Sequence, residues 1–186
     1  MATKIACFGE VLFDVFPTNR KIGGAPLNVG LRMASLGIDT QIISCIGQDE
    51  IGNELLDFVS QNGVSTDSIQ IDPNFATGEV LVQLDAKGSA SYTINYPVAW
   101  DKIEATPEAQ SVVANSDAFV FGSLVCRDNT SYQSLLTLLN SAKYKIFDVN
   151  LRSPFYTKEL LSDLMNKADF IKFNDDELYK ISEYLG

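Results

Sequence analysis

Four short stretches of this chain carry residue types that could do chemistry. Asp14 is a carboxylate inside an otherwise apolar run, Val11-Leu12-Phe13-Asp14-Val15-Phe16. Such a charge costs several kcal/mol if buried without a partner. Either it lies exposed on a strand edge, or it meets a partner, and a carboxylate accepts from two neighbouring hydroxyls of a diol at once. Gly23-Gly24-Ala25-Pro26-Leu27-Asn28 reads as a glycine turn opening a helix. The glycines allow positive φ and close approach of a ligand, and proline fits a first helical turn. Asn28 then faces whatever sits over the diglycine with an amide that donates and accepts, although an ordinary helix entrance has the same punctuation. Asp148-Val149-Asn150-Leu151-Arg152 ends an apolar run with a carboxylate, an amide and a guanidinium. That is either an Asp–Arg pair closing a loop or a cation presented to phosphate. Asn174-Asp175-Asp176-Glu177 has the spacing of a capping box, and a capped helix N-terminus also favours anions.

The elements that must position these residues alternate. Apolar runs at 5–8, 11–16, 40–45, 118–121, 145–149 and 170–173 read as strands, with 17–21 as a polar loop. Helical periodicity covers 26–36, 49–61, 107–115, 130–140, 158–167 and 175–184. Strands alternating with helices give βαβ units, hence an α/β fold with a mostly parallel sheet covered by helices on both faces. Ligands of such sheets bind outside the carboxyl ends of the strands, where all four stretches fall. The stretch from 79 to 96 differs. It alternates apolar and polar residues around Asp85-Ala86-Lys87-Gly88, as a hairpin does, with Tyr92, Ile94 and Tyr96 on one face. It is either an edge hairpin of the main sheet or a lid over a ligand, paired with 11–16.

Composition narrows the chemistry. The 186 residues suit one domain, and 46% hydrophobic content supports a real core. A formal net charge of −10 argues against nucleic-acid and anionic-membrane surfaces. Histidine is absent, which rules out a Ser-His-Asp triad, a Cys-His dyad and imidazole ligation of zinc. Cys7, Cys45 and Cys126 each sit in or beside an apolar run and read as buried free thiols of a cytoplasmic protein. No Gly-x-Gly-x-x-Gly follows the first strand, and no glycine loop ends in Lys-Ser or Lys-Thr, so neither a dinucleotide fold nor a P-loop kinase fits.

The spacing of Gly23-Gly24, Pro26, Asn28, Gly37 and Gly47 resembles the N-terminal signature of the ribokinase-like, or PfkB, carbohydrate kinases. Gly-Gly-Ala-Pro-x-Asn-Val is most similar to the fructokinases among them, and Gly30 departs from the family's usual Ala, Ser or Thr. Gly9-Glu10-Val11-Leu12-Phe13-Asp14 looks like the family's Gly-Glu-x-Leu-x-Asp, and Asp148-Val149-Asn150-Leu151-Arg152 like its Asp-x-Asn-x-Arg. The resemblance implies a sugar kinase using ATP and magnesium, with Asp14, Gly24 and Asn28 gripping the sugar. Arg152 would contact phosphate, Asn174 and Glu177 would serve the nucleotide side, and Glu177 would influence the metal indirectly. It also implies a ribokinase-like domain over 1–186, a lid from 11–16 and 75–98, and a homodimer through that lid. The family's second signature, Asp-Thr-x-Gly-Ala-Gly-Asp, supplies its anion hole and aspartate base, and the sequence contains no Gly-Ala-Gly-Asp. Gly47-Gln48-Asp49 is only a superficial match to it. The chain is therefore expected to hold the sugar-binding, N-terminal portion of such an enzyme, and to be catalytically poor alone. A non-catalytic sugar-binding or interaction module, and a nucleoside kinase of the same superfamily, are the alternatives.

Overall fold

The structure is a computed structural model that describes residues 3–84 and 90–185. In chain order it runs β1 (Lys4–Phe8), β2 (Leu12–Val15), β3 (Arg20–Gly23), α1 (Ala25–Ser35), β4 (Asp39–Gly47) and α2 (Glu50–Gln61). There follow β5 (Ile69–Asp72), β6 (Gly78–Leu84), β7 (Ala90–Ile94), α3 (Pro107–Asn115), β8 (Ala118–Gly122) and α4 (Asn129–Leu139). The last elements are β9 (Lys145–Asp148), α5 (Lys158–Lys167), β10 (Phe170–Lys172) and α6 (Asp175–Leu185), with 3-10 turns at Ala99–Lys102 and Leu124–Arg127.

Six strands form one parallel sheet in the order β10-β9-β8-β1-β4-β5. The middle strand β1 is apolar on both faces because both are covered: Ala6, Cys7 and Phe8 are all fully buried. On one face Phe8, Phe119, Phe121 and Phe147 stack with centroids 5.4–6.1 Å apart, beneath apolar residues of α3, α4 and α5. On the other, Cys7, Ile42 and Ile46 meet Leu27 of α1 and Leu55 of α2. The sequence-based expectation of a parallel sheet with helices on both faces therefore holds.

A second sheet stands apart, in the order β3-β2-β6-β7. Here β2 runs parallel to β6 and antiparallel to β3, and β6 is antiparallel to β7. The tip of that β6–β7 pair, Asp85 to Gly88, lies outside the described residues. Two strands escaped the sequence reading. The expected loop at 17–21 in fact begins β3 at Arg20, whose partner β2 sets Lys21 opposite Asp14. Edge strand β5 offers only Ile69 and Ile71 as apolar residues, and Ile71 is 55% exposed, so it has almost no pattern to read.

The α1 entrance is the tightest backbone in the fold. Gly24 is its N-cap at φ 112, and a Cβ there would run into the Glu10 carbonyl oxygen. Gly30 is looser: an added Cβ would make ordinary contacts, 3.5 Å from Thr40 Cγ2 and 3.8 Å from Cys7 Sγ. All three cysteines are free and buried, and burial pushes the Cys7 and Cys45 thiols up to about 12. Among the described residues no helix is long and apolar enough to cross a membrane.

Candidate substrate cleft

A cleft of 720 Å³ opens where the second sheet overhangs the carboxyl ends of β1, β8 and β9. Asp14, Gly24, Asn28 and Arg152, four sites expected from sequence, all line it, whereas Asn174 and Glu177 do not. Leu12, Val80 and Ile94 supply an apolar roof from the second sheet, with Tyr92, 62% exposed, at its margin.

Asp14 projects from β2, and Gly23 on the paired strand makes room for it: a Cβ there would lie 2.7 Å from Asp14 Oδ2. The carboxylate has no hydrogen bond or ion pair among the described residues. Burial raises its pKa, and the charge of Arg152 partly offsets that. The Asn28 amide, one turn into α1, likewise has no bonded partner. Its backbone N–H closes the first turn onto the Gly24 carbonyl at 2.9 Å.

Glu10, in sequence no more than the second residue of the Gly-Glu-x-Leu-x-Asp stretch, is the most perturbed acid of the cleft. It is buried beneath the α1 N-terminus, where Oε1 accepts the Ala25 N–H at 3.3 Å and Oε2 has no partner. Burial pushes its pKa up to about 7, against the backbone hydrogen bonds and the charge of Arg152. It thereby caps a helix whose own N-cap is a glycine without a side chain. A glutamate between Gly9 and Val11 carries no signal of burial beyond the apolar residues around it. Arg32 and Lys172 also line the cleft and were not singled out from sequence. The signals were available: Arg32 follows Asn28 by one helical turn, and Lys172 ends a strand.

At the far end, the loop after β9 presents Asn150 and Arg152. Asn150 adopts φ 42, a left-handed conformation that asparagine tolerates better than most residues. Asn174 and Glu177 act on this loop from behind. The Asn174 N–H donates to Glu177 Oε2 at 2.9 Å and Asn174 Oδ1 accepts the Glu177 N–H at 2.9 Å, a reciprocal capping box. The remaining oxygen, Oε1, accepts the buried Leu151 N–H at 3.0 Å, one residue before Arg152. Glu177 therefore has each oxygen on a backbone donor and holds the Arg152 loop in place. Asp148 is engaged as well, accepting from Lys172 Nζ at 2.9 Å.

The Gly47-Gln48-Asp49 stretch proves structural. Asp49 accepts from Gly52 N–H, Thr77 N–H and Thr77 Oγ–H at 2.7–2.8 Å. Burial alone would raise its pKa, but those donors hold it below the usual carboxylate range. The clamp fixes Thr77, the residue before β6, so it anchors one root of the second sheet. Among the described residues no three acidic or thiol side chains gather to hold a metal ion.

The molecule is an α/β protein with a ligand-sized cleft at the strand ends of its parallel sheet, roofed by a separate small sheet, the place where such folds take small molecules. The chain belongs to the pfkB family of carbohydrate kinases, whose profile matches residues 2–185. It is 28% identical to probable fructokinase-7 of Arabidopsis thaliana, over 95% of this chain and 58% of that protein. It superposes on the crystal structure of an uncharacterized sugar kinase from Pyrococcus horikoshii with a TM-score of 0.88 and 27% identity, covering 97% of this chain and 66% of that one. A fructokinase from Xylella fastidiosa with bound ATP gives 0.87 and 26%, covering 100% and 62%. The chain thus spans about three fifths of the length of the fructokinase it matches.

Proposed function

We propose that this chain supplies the sugar-binding side of a fructokinase-like sugar kinase, with Asp14, Gly24 and Asn28 holding the sugar and Arg152 meeting the phosphates of ATP. The observation that carries this reading is the Asp14 carboxylate, which lines the 720 Å³ cleft beside the Gly23-Gly24 turn and has no bonded partner among the described residues. A sugar diol donating two hydroxyls would favour its ionised form, which burial now disfavours. Arg152 donates one guanidinium N–H to the Leu151 carbonyl at 2.9 Å, leaving its other nitrogens for phosphate oxygens. The ATP bound in the Xylella fructokinase, a chain of the same fold, supports ATP as the phosphate donor. Magnesium fits only as a companion of the nucleotide phosphates, since the described side chains form no cage for it.

In the reaction a sugar hydroxyl oxygen attacks the γ-phosphorus, the bond to the β,γ-bridging oxygen breaks, ADP leaves, and the hydroxyl proton passes to a base. What these residues contribute is positioning of the two reactants and exclusion of water beneath the second sheet, which acts as the lid. The aspartate base implied by the family resemblance belongs to a Gly-Ala-Gly-Asp that the sequence does not contain, so the 186 residues alone should transfer phosphate slowly. The lid sheet also exposes Leu81 and Tyr92, which a homodimer through it would cover.

The test is a single-turnover assay with labelled ATP–magnesium and a panel of fructose, ribose and a nucleoside, run beside binding titrations of each. Fructose binding with slow transfer is the expected pattern. Brisk sugar-dependent transfer would contradict the assignment of a sugar-binding side alone. Binding of the nucleoside in preference to both sugars would replace the sugar reading with a nucleoside one.

A further inference from the structure

We infer that Arg127, which does not line the cleft, is a positioning residue that couples the lid sheet to the loop carrying Arg152. This rests on the assignment of those two regions to the sugar and phosphate sides given above. Arg127 ends the 3-10 turn after β8, and its side chain is 1% exposed. Its Nε donates to Asp101 Oδ1 at 2.7 Å, and Nη2 donates to Asp101 Oδ2 at 2.8 Å and to the Asn95 carbonyl at 2.6 Å. The guanidinium lies 3.9 Å from the centroid of Trp100, 4.9 Å from Phe155 and 5.1 Å from Tyr96.

Those contacts reach both sides of the cleft. Asn95 directly follows Ile94, the last residue of β7 and part of the cleft roof, and its N–H donates to Glu79 of β6 at 3.2 Å. Trp100 packs so closely on Gly78, the first residue of β6, that a Cβ there would collide with the indole. Both cleft-side roots of the lid sheet therefore bear on the Arg127–Trp100 stack. On the other side, the Phe155 N–H donates to the Arg152 carbonyl at 2.8 Å, closing the turn after Arg152. Ser123, just before the 3-10 turn of Arg127, donates to the Asn150 carbonyl at 3.4 Å.

A buried ion pair is often no more stabilising than apolar residues of the same volume, so its presence here needs a reason beyond stability. The geometry supplies one. Asp101 is fully buried and also accepts the Val98 N–H at 2.9 Å, so it fixes the guanidinium plane. A planar cation can then stack on Trp100 while donating sideways to Asn95, which a lysine ammonium cannot do. One guanidinium nitrogen, Nη1, is buried with no hydrogen-bond partner among the described residues.

The experiment is hydrogen exchange by mass spectrometry on the full chain and on Arg127→Lys, without ligand. Peptides covering the lid roots (76–82 and 92–98) and the Arg152 loop (149–156) should speed up together, by about tenfold, while α2 keeps its wild-type protection. Acceleration confined to one of the two regions, or spread evenly over the molecule, would overturn the coupling. Phe155→Leu approaches from the opposite side and leaves the Asp101 pair intact. It should still accelerate the 92–98 peptide, and an unchanged 92–98 peptide would also overturn the proposal. A fructose titration separates this claim from the sugar reading. Arg127→Lys should weaken wild-type fructose binding about tenfold. If wild type binds no fructose, the sugar reading fails while the ligand-free exchange still decides the coupling.

Discussion

At the β2–α1 end of the cleft, among the described residues, Asp14 has no bonded partner and Glu10 leaves one oxygen without any. At the β9–β10 end Asp148 is engaged with Lys172, and Glu177 with the backbone N–H groups of Leu151 and Asn174. The pKa shifts follow the first contrast, since burial raises both Glu10 and Asp14. Asp49, which clamps a root of the second sheet through three donors, is held low instead. An acid whose donors are already present is scaffold, and an acid raised by burial inside a cleft is a candidate for a ligand's hydroxyls. The two ends thus divide the labour. On the proposed reading, one is poised for a ligand and the other holds Arg152 where a phosphate would meet it.

Changing pH strains that contrast most. Glu10 titrates at about 7 in the folded protein against an ordinary 4.5, so the native state keeps a proton that the unfolded chain has lost. The associated stability is fully present below pH 4.5 and is lost as pH rises through 7, amounting to roughly 3 kcal/mol. Glu10→Gln keeps an acceptor for the Ala25 N–H and has no proton to lose. Urea unfolding from pH 4.5 to 8 should therefore show the wild type losing that stability relative to the variant. Parallel curves would show that Glu10 is not buried as described.

A smaller effect is expected from Glu177→Ala. It strips the Leu151 N–H of its acceptor inside the fold and breaks the capping box, costing about 2 kcal/mol in the same unfolding measurement. A loss under about 0.5 kcal/mol would mean that the Arg152 loop does not depend on its scaffold. The smallest change should come from Lys172→Met. Its pair with Asp148 is half exposed, so stability should stay within about 0.5 kcal/mol of wild type. A larger drop would make Asp148 as needy as the acids at the other end.

Much of this was legible in the sequence because it is written locally. Alternating strands and helices announced the parallel sheet, Asp14 stood out against an apolar run, and Asn174 and Glu177 spelled their capping box in four residues. The glycine turn and Asn28 read as a helix entrance for the same reason, and Gly24 caps α1. The remainder depends on residues far apart in the chain. Arg127 meets Asp101 across 26 positions and Asn95 across 32, and no local pattern encodes either contact. Glu10 carried no local sign of burial, because its burial is imposed by α1, which arrives 15 residues later. Strands β3 and β5 were missed because edge strands with few apolar residues resemble loops.

The central claim, that the unpartnered end of the cleft is a sugar site, is tested most directly by calorimetric titration of fructose into wild type and Asp14→Asn. The substitution should leave stability within about 0.5 kcal/mol, because the carboxylate bonds to no other described residue. Fructose affinity should fall about 100-fold, as expected for losing charged hydrogen bonds to two hydroxyls. Equal fructose affinity in the two proteins would contradict the account, because Asp14 would then have no part in holding the sugar.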